Sequence, residues 1–261
     1  MIDIHCHILP GVDDGSKDLT ESLEMAMIAQ GEGIKQIINT SHYRRDFDFE
    51  TGEILLEKLN SFNKLLKEKN IDIEVFIGNE IYYSEDILEY IDNKEFYTLN
   101  NSRYLLIEFS PMRFPNNLCD IIYELKIRGY IPILAHVERY AEIQANPNII
   151  YDCIKEGALI QVGSTSVLGR GSKEGNKLCS ILLNYNMIHF IATDAHSSNR
   201  RKPIMKEAYD YVMSKYGEDM ANSLFRENAG KVLKNEVFEG IDKLEKYNPK
   251  NNFFKKLFKL K

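Results

Sequence analysis

The chain has no long hydrophobic run. Its longest apolar strings are of the size of IPILA at 131–135, far too short to cross a bilayer. The opening MIDIHCHILP has no basic start and is broken by histidines, so it does not read as a secretory leader, and a cytoplasmic location is expected. Cysteine is scarce: Cys6, Cys119, Cys153 and Cys179 lie far apart with no C-x-x-C pair. That excludes a zinc knuckle and a disulfide framework. No glycine-rich phosphate loop follows any candidate strand, which argues against a nucleotide-binding fold. Positive charge is also in deficit. The net charge of −6 argues against nucleic acid as a general partner. The deficit is uneven, because residues 249–261 hold five lysines and no acid, leaving −11 on residues 1–248.

What is present suits one large domain: 261 residues, 44% of them hydrophobic, can bury a sizeable core. Apolar, β-branched strings predict strands at 2–6, 35–40, 73–79, 104–109, 131–135, 158–162 and 188–193. Helical patterns lie between them, near 52–69, 116–128, 148–156, 173–185 and 203–215. A first helix, LTESLEMAMIAQ, has Leu23, Met27 and Ile28 as its expected apolar face and Asp18 as its cap. Strand–helix alternation implies a parallel sheet covered by helices. A closed barrel and an open doubly wound sheet both fit that pattern. No repeat or linker divides the chain, so residues 1–248 read as one domain and 249–261 as a basic tail.

His5 and His7 stand one residue apart on the first strand. Alternate strand residues share a face about 6.7 Å apart, so both imidazoles can lean toward one ion, with metal–nitrogen bonds near ~2.1 Å. Cys6 between them points the other way, into the core. Ligand-type residues recur after the other strands. Asp14 follows the first, His42 the second and Glu80 the third; Glu108 ends the fourth, His136 the fifth, and Asp194 and His196 the seventh. Only the sixth ends without one, at Gly163 and Ser164. In α/β barrels the carboxyl ends of the strands carry the active site. His189 lies inside the last strand's apolar run and reads as a core histidine. Nine candidate ligands exceed one ion's needs, and mixed imidazole and carboxylate donors suit Mn, Fe or Zn. Carboxylates bridging close ions make a multi-metal hydrolytic site.

The motifs DIHCHILPGVDDGS, TSHY, LIEFS, AHVERY and ATDAH resemble the PHP (polymerase and histidinol phosphatase) superfamily. Within it they resemble the manganese-dependent protein-tyrosine phosphatases of bacterial capsule and exopolysaccharide operons. The likeness covers about residues 1–235 and fills every ligand position. It implies a distorted seven-stranded βα barrel and three divalent ions, the implied occupants being manganese with iron or zinc as substitutes. One ion would be held by His5, His7, Glu80 and Asp194; a second by Glu80, Glu108 and His136; a third by Asp14, His42 and His196. Arg139 and Arg201 match positions that bind substrate phosphate, and the neighbouring Arg200 competes for the second match. The implied substrate is a tyrosine-phosphorylated, membrane-associated bacterial kinase.

Cysteine-based phosphatases need a Cys followed six positions on by Arg. Here those positions hold Val12, Leu125, Leu159 and Tyr185, which excludes a phosphocysteine. Direct attack on phosphorus by a metal-bound hydroxide is the expected chemistry. Seven of the ten arginines fall in loops after strands: Arg44, Arg45, Arg113, Arg139, Arg170, Arg200 and Arg201. With Tyr43, Phe47, Phe49 and Phe114 they suggest a rim for a phosphotyrosine ring and acidic flanking residues. The tail PKNNFFKKLFKLK places Phe253, Phe254, Leu257 and Phe258 on one helical face, with Lys255, Lys256 and Lys259 elsewhere. It suits weak contact with an anionic membrane surface. Other readings are a small-molecule phosphoesterase such as a histidinol phosphatase, a metal-dependent amidohydrolase, and a non-catalytic metal-binding scaffold.

Overall fold

A computed structural model describes residues 1–111, 114–238 and 244–249. The predicted β-branched strings all become parallel strands: β1 (Ile2–Cys6), β2 (Gln36–Asn39), β3 (Ser41–Tyr43), β4 (Glu74–Phe76), β5 (Asn79–Tyr82), β6 (Tyr104–Glu108), β7 (Ile131–Leu134), β8 (Leu159–Gly163) and β9 (Phe190–Ala192). They form a three-stranded sheet, β1-β2-β4, and a six-stranded sheet, β3-β5-β6-β7-β8-β9. The count therefore departs from the seven strands expected. The expected second and third strands each run further and break, at Thr40 and at Ile77–Gly78.

Both breaks have a local cause. At Thr40 the chain changes neighbours: its N–H donates to the Cys6 carbonyl at 2.9 Å, and its carbonyl accepts from Glu80 N–H at 3.2 Å. At Gly78 a Cβ would stand 2.9 Å from a methyl of Ile38, so close packing there admits only glycine. The sheets curl until the last strand's continuation meets the first. Asp194 N–H donates to the His5 carbonyl and His7 N–H to the Ala195 carbonyl, each at 2.8 Å.

Alternate residues sort onto two faces, as the strand period of two requires. Ile38, Leu106, Ile133, Leu159 and Phe190 form one apolar cluster, with Ala229 and Val232 of the helix Asn228–Leu233. Ile37, Leu105, Leu134, Ile160 and Ile191 join the other, with the covering helices. Cys6 packs in that outer layer, fully buried, as the sequence predicts.

The helices fall close to their predicted places, at Leu19–Gly31, Glu53–Glu68, Leu118–Ile127, Asn148–Glu156, Lys173–Asn184 and Lys206–Tyr216. Asp18 caps the first, accepting from Glu21 N–H at 3.0 Å. Its buried face, however, is Ser22, Met25, Ala26 and Ala29, while Met27 is 53% exposed. Gly157 stops its helix in the left-handed region, at φ 113°. Short helices at Ile87–Asp92, Ala141–Ala145, Ser164–Val167 and Glu218–Asn222 were not foreseen, being too brief for a periodic signal. No helix among the described residues is long and apolar enough to cross a membrane. Arg113 and the tail residues Phe253, Phe254, Lys255, Lys256, Leu257, Phe258 and Lys259 lie outside the described residues.

Candidate metal centre

The alternation that builds the core also builds the site. The face carrying Leu106 ends in Glu108, the face carrying Leu159 continues to Gln161, and the face carrying Ala192 leads to Asp194. β7 breaks this parity. With Ile133 and Ala135 facing inward, His136 would point outward; a left-handed residue at φ 33°, ψ 51° turns it in. Asp194 also has positive φ, 51°. Left-handed backbone is uncommon for histidine and aspartate, and such outliers concentrate at functional sites.

All nine predicted ligands lie at these strand ends, and three groups of them have donor atoms within 4.8 Å of one another. One group, His5, His7, Glu80 and Asp194, consists of buried residues throughout. His5 Nε2 lies 3.2 Å from Glu80 Oε2 and 3.3 Å from Asp194 Oδ1. His7 Nε2 lies 3.3 Å and 3.7 Å from the same two oxygens, and the two nitrogens are 3.4 Å apart. A tetrahedral ion with ligand bonds of about 2.1 Å has ligand–ligand edges of about 3.4 Å. Asp194 Oδ1 is also buried without a hydrogen-bond partner. One cation among the four atoms satisfies every one of them, so the residues fit a metal.

The other two groups differ in part from the sets the resemblance implies. His7 joins Asp14, His42 and His196. His42 joins Glu80 and Glu108, the place expected of His136. His42 faces both groups with opposite nitrogens, Nε2 at 3.3 Å from Asp14 and Nδ1 at 3.2 Å from Glu80. A neutral imidazole has one lone pair, so it serves one ion at a time. His136 Nε2 remains close, 2.8 Å from Glu80 and 4.0 Å from Glu108.

Outer hydrogen bonds fix which nitrogen of each ring faces inward. Nδ1 of His7 meets Asp13 at 2.7 Å, that of His5 meets Gln161 at 3.2 Å, that of His136 meets the Tyr140 hydroxyl at 3.3 Å, and that of His196 meets the Asp194 carbonyl at 3.1 Å. Where that outer partner accepts a proton from Nδ1, the Nε2 lone pair is left for a metal. Asp13 also accepts from His42 N–H at 2.9 Å and Gly15 N–H at 3.0 Å, so of the two adjacent aspartates Asp13 braces the site and Asp14 stands among the candidate donors. Gly15 is required by contact: a Cβ there would lie 2.4 Å from His7 Cβ. Gln161 answers the puzzle of the sixth strand, because its Oε1 also accepts from His136 N–H at 2.7 Å. Sequence reasoning missed Gln161 and Tyr140; an amide alone on a buried strand face was the available signal for the first.

Charge is strongly redistributed here. Burial alone would lower His5, but Glu80 and Asp194 overcome it and raise it. Burial would raise Glu80, yet His5 and the hydrogen bonds from His136, His5 and His7 hold it well below the carboxylate range. Glu108 is instead raised, by burial and by the charge of Glu80. His196 is pushed down to about 3 by burial and by His7, which leaves it neutral and able to ligate.

Arg139 and Arg201 meet at the mouth. Both donate from Nη2 to Asp194 Oδ2, Arg201 at 2.5 Å, and both are less than half exposed, at 43% and 44%. Arg200 is exposed, and its described contact is a backbone one, N–H to Ser197 Oγ at 3.1 Å; Arg201 is therefore the one aimed at the cluster. Arg44 stacks on Tyr82 and Phe47, 4.0 Å and 4.2 Å from the ring centres, and pairs with Asp46. Arg45 is bound by Glu95 and stacks on Tyr90, and Arg170 is paired with Glu207. Phe49 stacks on His42 at 5.8 Å and on Phe47 at 5.2 Å.

The sequence pattern of the capsular polysaccharide synthesis family CpsB/CapC matches residues 1–234. Tyrosine-protein phosphatase YwqE of Bacillus subtilis is 35% identical over 237 residues, covering 91% of this chain and 93% of its own. Tyrosine-protein phosphatase CpsB of Streptococcus pneumoniae is 35% identical over 243 residues, covering 91% and 100%. A crystal structure from a study of YwqE and CpsB as metal-dependent tyrosine phosphatases superposes with a TM-score of 0.89 at 33% identity, over 95% of this chain and all of that one. Histidinol phosphate phosphatase from Lactococcus lactis shares the fold, with a TM-score of 0.55 at 15% identity over 86% of this chain and 94% of its own. The sequence match over nearly the whole chain, and the close superposition of its fold, place this protein in the CpsB/CapC family of capsular polysaccharide synthesis.

Proposed function

We propose that this chain is a metal-dependent protein-tyrosine phosphatase that hydrolyses phosphotyrosine on a protein substrate. The observation that carries the reading is the cluster of eight grouped donors, with His136 beside it and two arginines joined at its mouth, on a chain whose relatives bear that activity in their names. His5, His7, Glu80 and Asp194 would hold one divalent ion, Glu80 and Glu108 with His136 or His42 a second, and Asp14, His42 and His196 a third. Manganese is the proposed occupant, and iron or zinc would suit the same donors. Bound divalent ions supply a lowered water pKa and positive charge for the phosphoryl oxygens.

The protein's own groups do the rest. Asp194 ties Arg139 and Arg201 to one oxygen, so their remaining donors stand side by side where a phosphate can bridge them. The four ligand carboxylates repel a phosphate dianion; three divalent ions would leave the site near +2, before the arginines are added. Cys6, Cys153 and Cys179 are buried, and burial raises each thiol, so none is poised as a nucleophile. Arg44 on Tyr82 and the Phe47–Phe49–His42 stack form the part of the expected rim nearest the cluster, suited to a phosphotyrosine ring. Arg45 and Arg200 belong to that rim only as outer charges.

The finer readings belong to the same proposal. The fold is a distorted seven-stranded βα barrel if β2 with β3, and β4 with β5, each count as one interrupted strand. Residues 1–248 form the phosphatase domain, and 249–261 are a basic tail for weak contact with an anionic membrane. The protein acts in the cytoplasm, on a membrane-associated tyrosine kinase. Phosphate release from a tyrosine-phosphorylated kinase tail and from histidinol phosphate, each with manganese and with chelator, tests the function. Manganese-dependent release from the phosphopeptide is expected; preference for histidinol phosphate, or release that survives chelation, overturns it.

A further inference from the structure

Among the described residues β1 and β9 belong to different sheets, so no regular ladder closes the seam between them. A side chain stands in for the missing ladder bonds. Asp3, two residues before His5 on β1, is fully buried. Its Oδ1 accepts from Thr193 N–H at 3.1 Å and from His5 N–H at 3.3 Å. Its Oδ2 accepts from the Thr193 hydroxyl at 2.5 Å. That hydroxyl in turn accepts from Ala195 N–H at 3.2 Å. Burying a carboxylate is costly. It offers acceptors alone at both oxygens, which three converging hydrogens require; an amide or a hydroxyl would bring protons of its own.

These contacts bracket Asp194. The residue before it is held through its N–H and its hydroxyl, and the residue after it through its N–H. Asp194 N–H itself donates to the His5 carbonyl at 2.8 Å. At φ 51°, Asp194 has a backbone that persists only where its surroundings over-determine it. From there its Oδ1 faces His5 and His7, and its Oδ2 accepts from Arg139 and Arg201.

We propose that Asp3 is a positioning residue for the metal centre: through Thr193 it holds Asp194 in the left-handed turn that serves one ion and both arginines. The inference rests on the metal-dependent phosphatase reading and names a residue which that reading does not use.

The test is manganese binding by the full chain, followed by calorimetry, with kinetics on p-nitrophenyl phosphate at saturating manganese. Thr193→Val keeps the side chain's shape and removes both bonds of the hydroxyl. Asp3→Asn puts a donor where that hydroxyl needs an acceptor. Each should weaken one class of manganese site about 10-fold and raise KM for p-nitrophenyl phosphate several-fold, because the arginines lose their shared anchor. Thr193→Ser keeps the hydroxyl and should match the wild type in both. If Asp3→Asn does not fold, the two Thr193 variants carry the test. Urea unfolding of the metal-free chains separates positioning from packing: stability lost with manganese affinity and KM unchanged overturns the proposal. So does a Thr193→Ser chain as defective as Thr193→Val. A wild type that binds manganese but releases no phosphate from phosphotyrosine would sink the phosphatase reading alone; a gap in manganese affinity between Thr193→Val and Thr193→Ser would still support the role of Asp3.

Discussion

The two ends of the strands manage burial in opposite ways. Along their length, Ile38, Leu106, Ile133 and Phe190 fill the interior with apolar groups. At their carboxyl ends His5, Glu80, His136 and Asp194 are as deeply buried, yet polar or charged. Two of these, His136 and Asp194, also hold left-handed backbone, which none of the four apolar residues does. Removing charges from water is costly unless each finds a partner. The apolar stretch therefore supplies the stability, and the polar end gathers donor atoms in a geometry that fits cations.

The sharpest way to break that contrast is to remove charge at one end only. Asp194→Asn should keep the fold, judged by circular dichroism, and lower phosphopeptide turnover about 10³-fold; loss of fold together with activity would mean the ends are not separable. The converse change, Leu106→Ala, should cost about 2–5 kcal/mol in urea unfolding, while the folded fraction keeps its kcat/KM. A large fall in kcat/KM would show that the interior positions the site directly.

Complete chelation should lower the melting temperature by about 5–10 °C, as expected for loss of ligands bound well above their dissociation constants. An unchanged melting temperature would remove the electrostatic half of the comparison. At the other end, burial pushes His189 down to about 3 from 6.5. Below pH 6.5 the unfolded chain takes up a proton there that the folded chain refuses. Stability should therefore fall as pH drops from 6.5 toward 3, by about 1.4 kcal/mol per pH unit. Urea titrations of the wild type and His189→Phe at several pH values isolate that slope; parallel curves would contradict it. The smallest effect expected is at the rim, where Arg44→Ala should reduce phosphopeptide turnover about 2–5-fold through lost stacking and charge, and p-nitrophenyl phosphate turnover less. Equal losses on both substrates would deny Arg44 a role in peptide recognition.

The candidate donors were legible because their chemistry is unusual for strand ends: imidazoles and acids where Val or Ile would pack. His136 was legible as a donor but not in its aim, since the left-handed turn that redirects it leaves no trace in composition. The scaffold of Asp13, Gln161 and Tyr140 was less visible, because a single polar residue on a strand or a tyrosine after a turn has many ordinary explanations. The face of the first helix was misread for a related reason. Hydrophobicity pointed to Met27, while the helix turns Ser22, Met25, Ala26 and Ala29 inward. The choice between Arg200 and Arg201 needed the loop's path, which adjacent identical residues cannot reveal.

Residue type and strand period alone determined a parallel α/β sheet and the set of side chains able to bind metal, because both follow from local geometry and donor chemistry. Only the tertiary structure decided which donors stand together, which nitrogen of a ring faces inward and where the strands break. Those depend on distances of a few tenths of an ångström between segments far apart in the chain, and no local pattern encodes them.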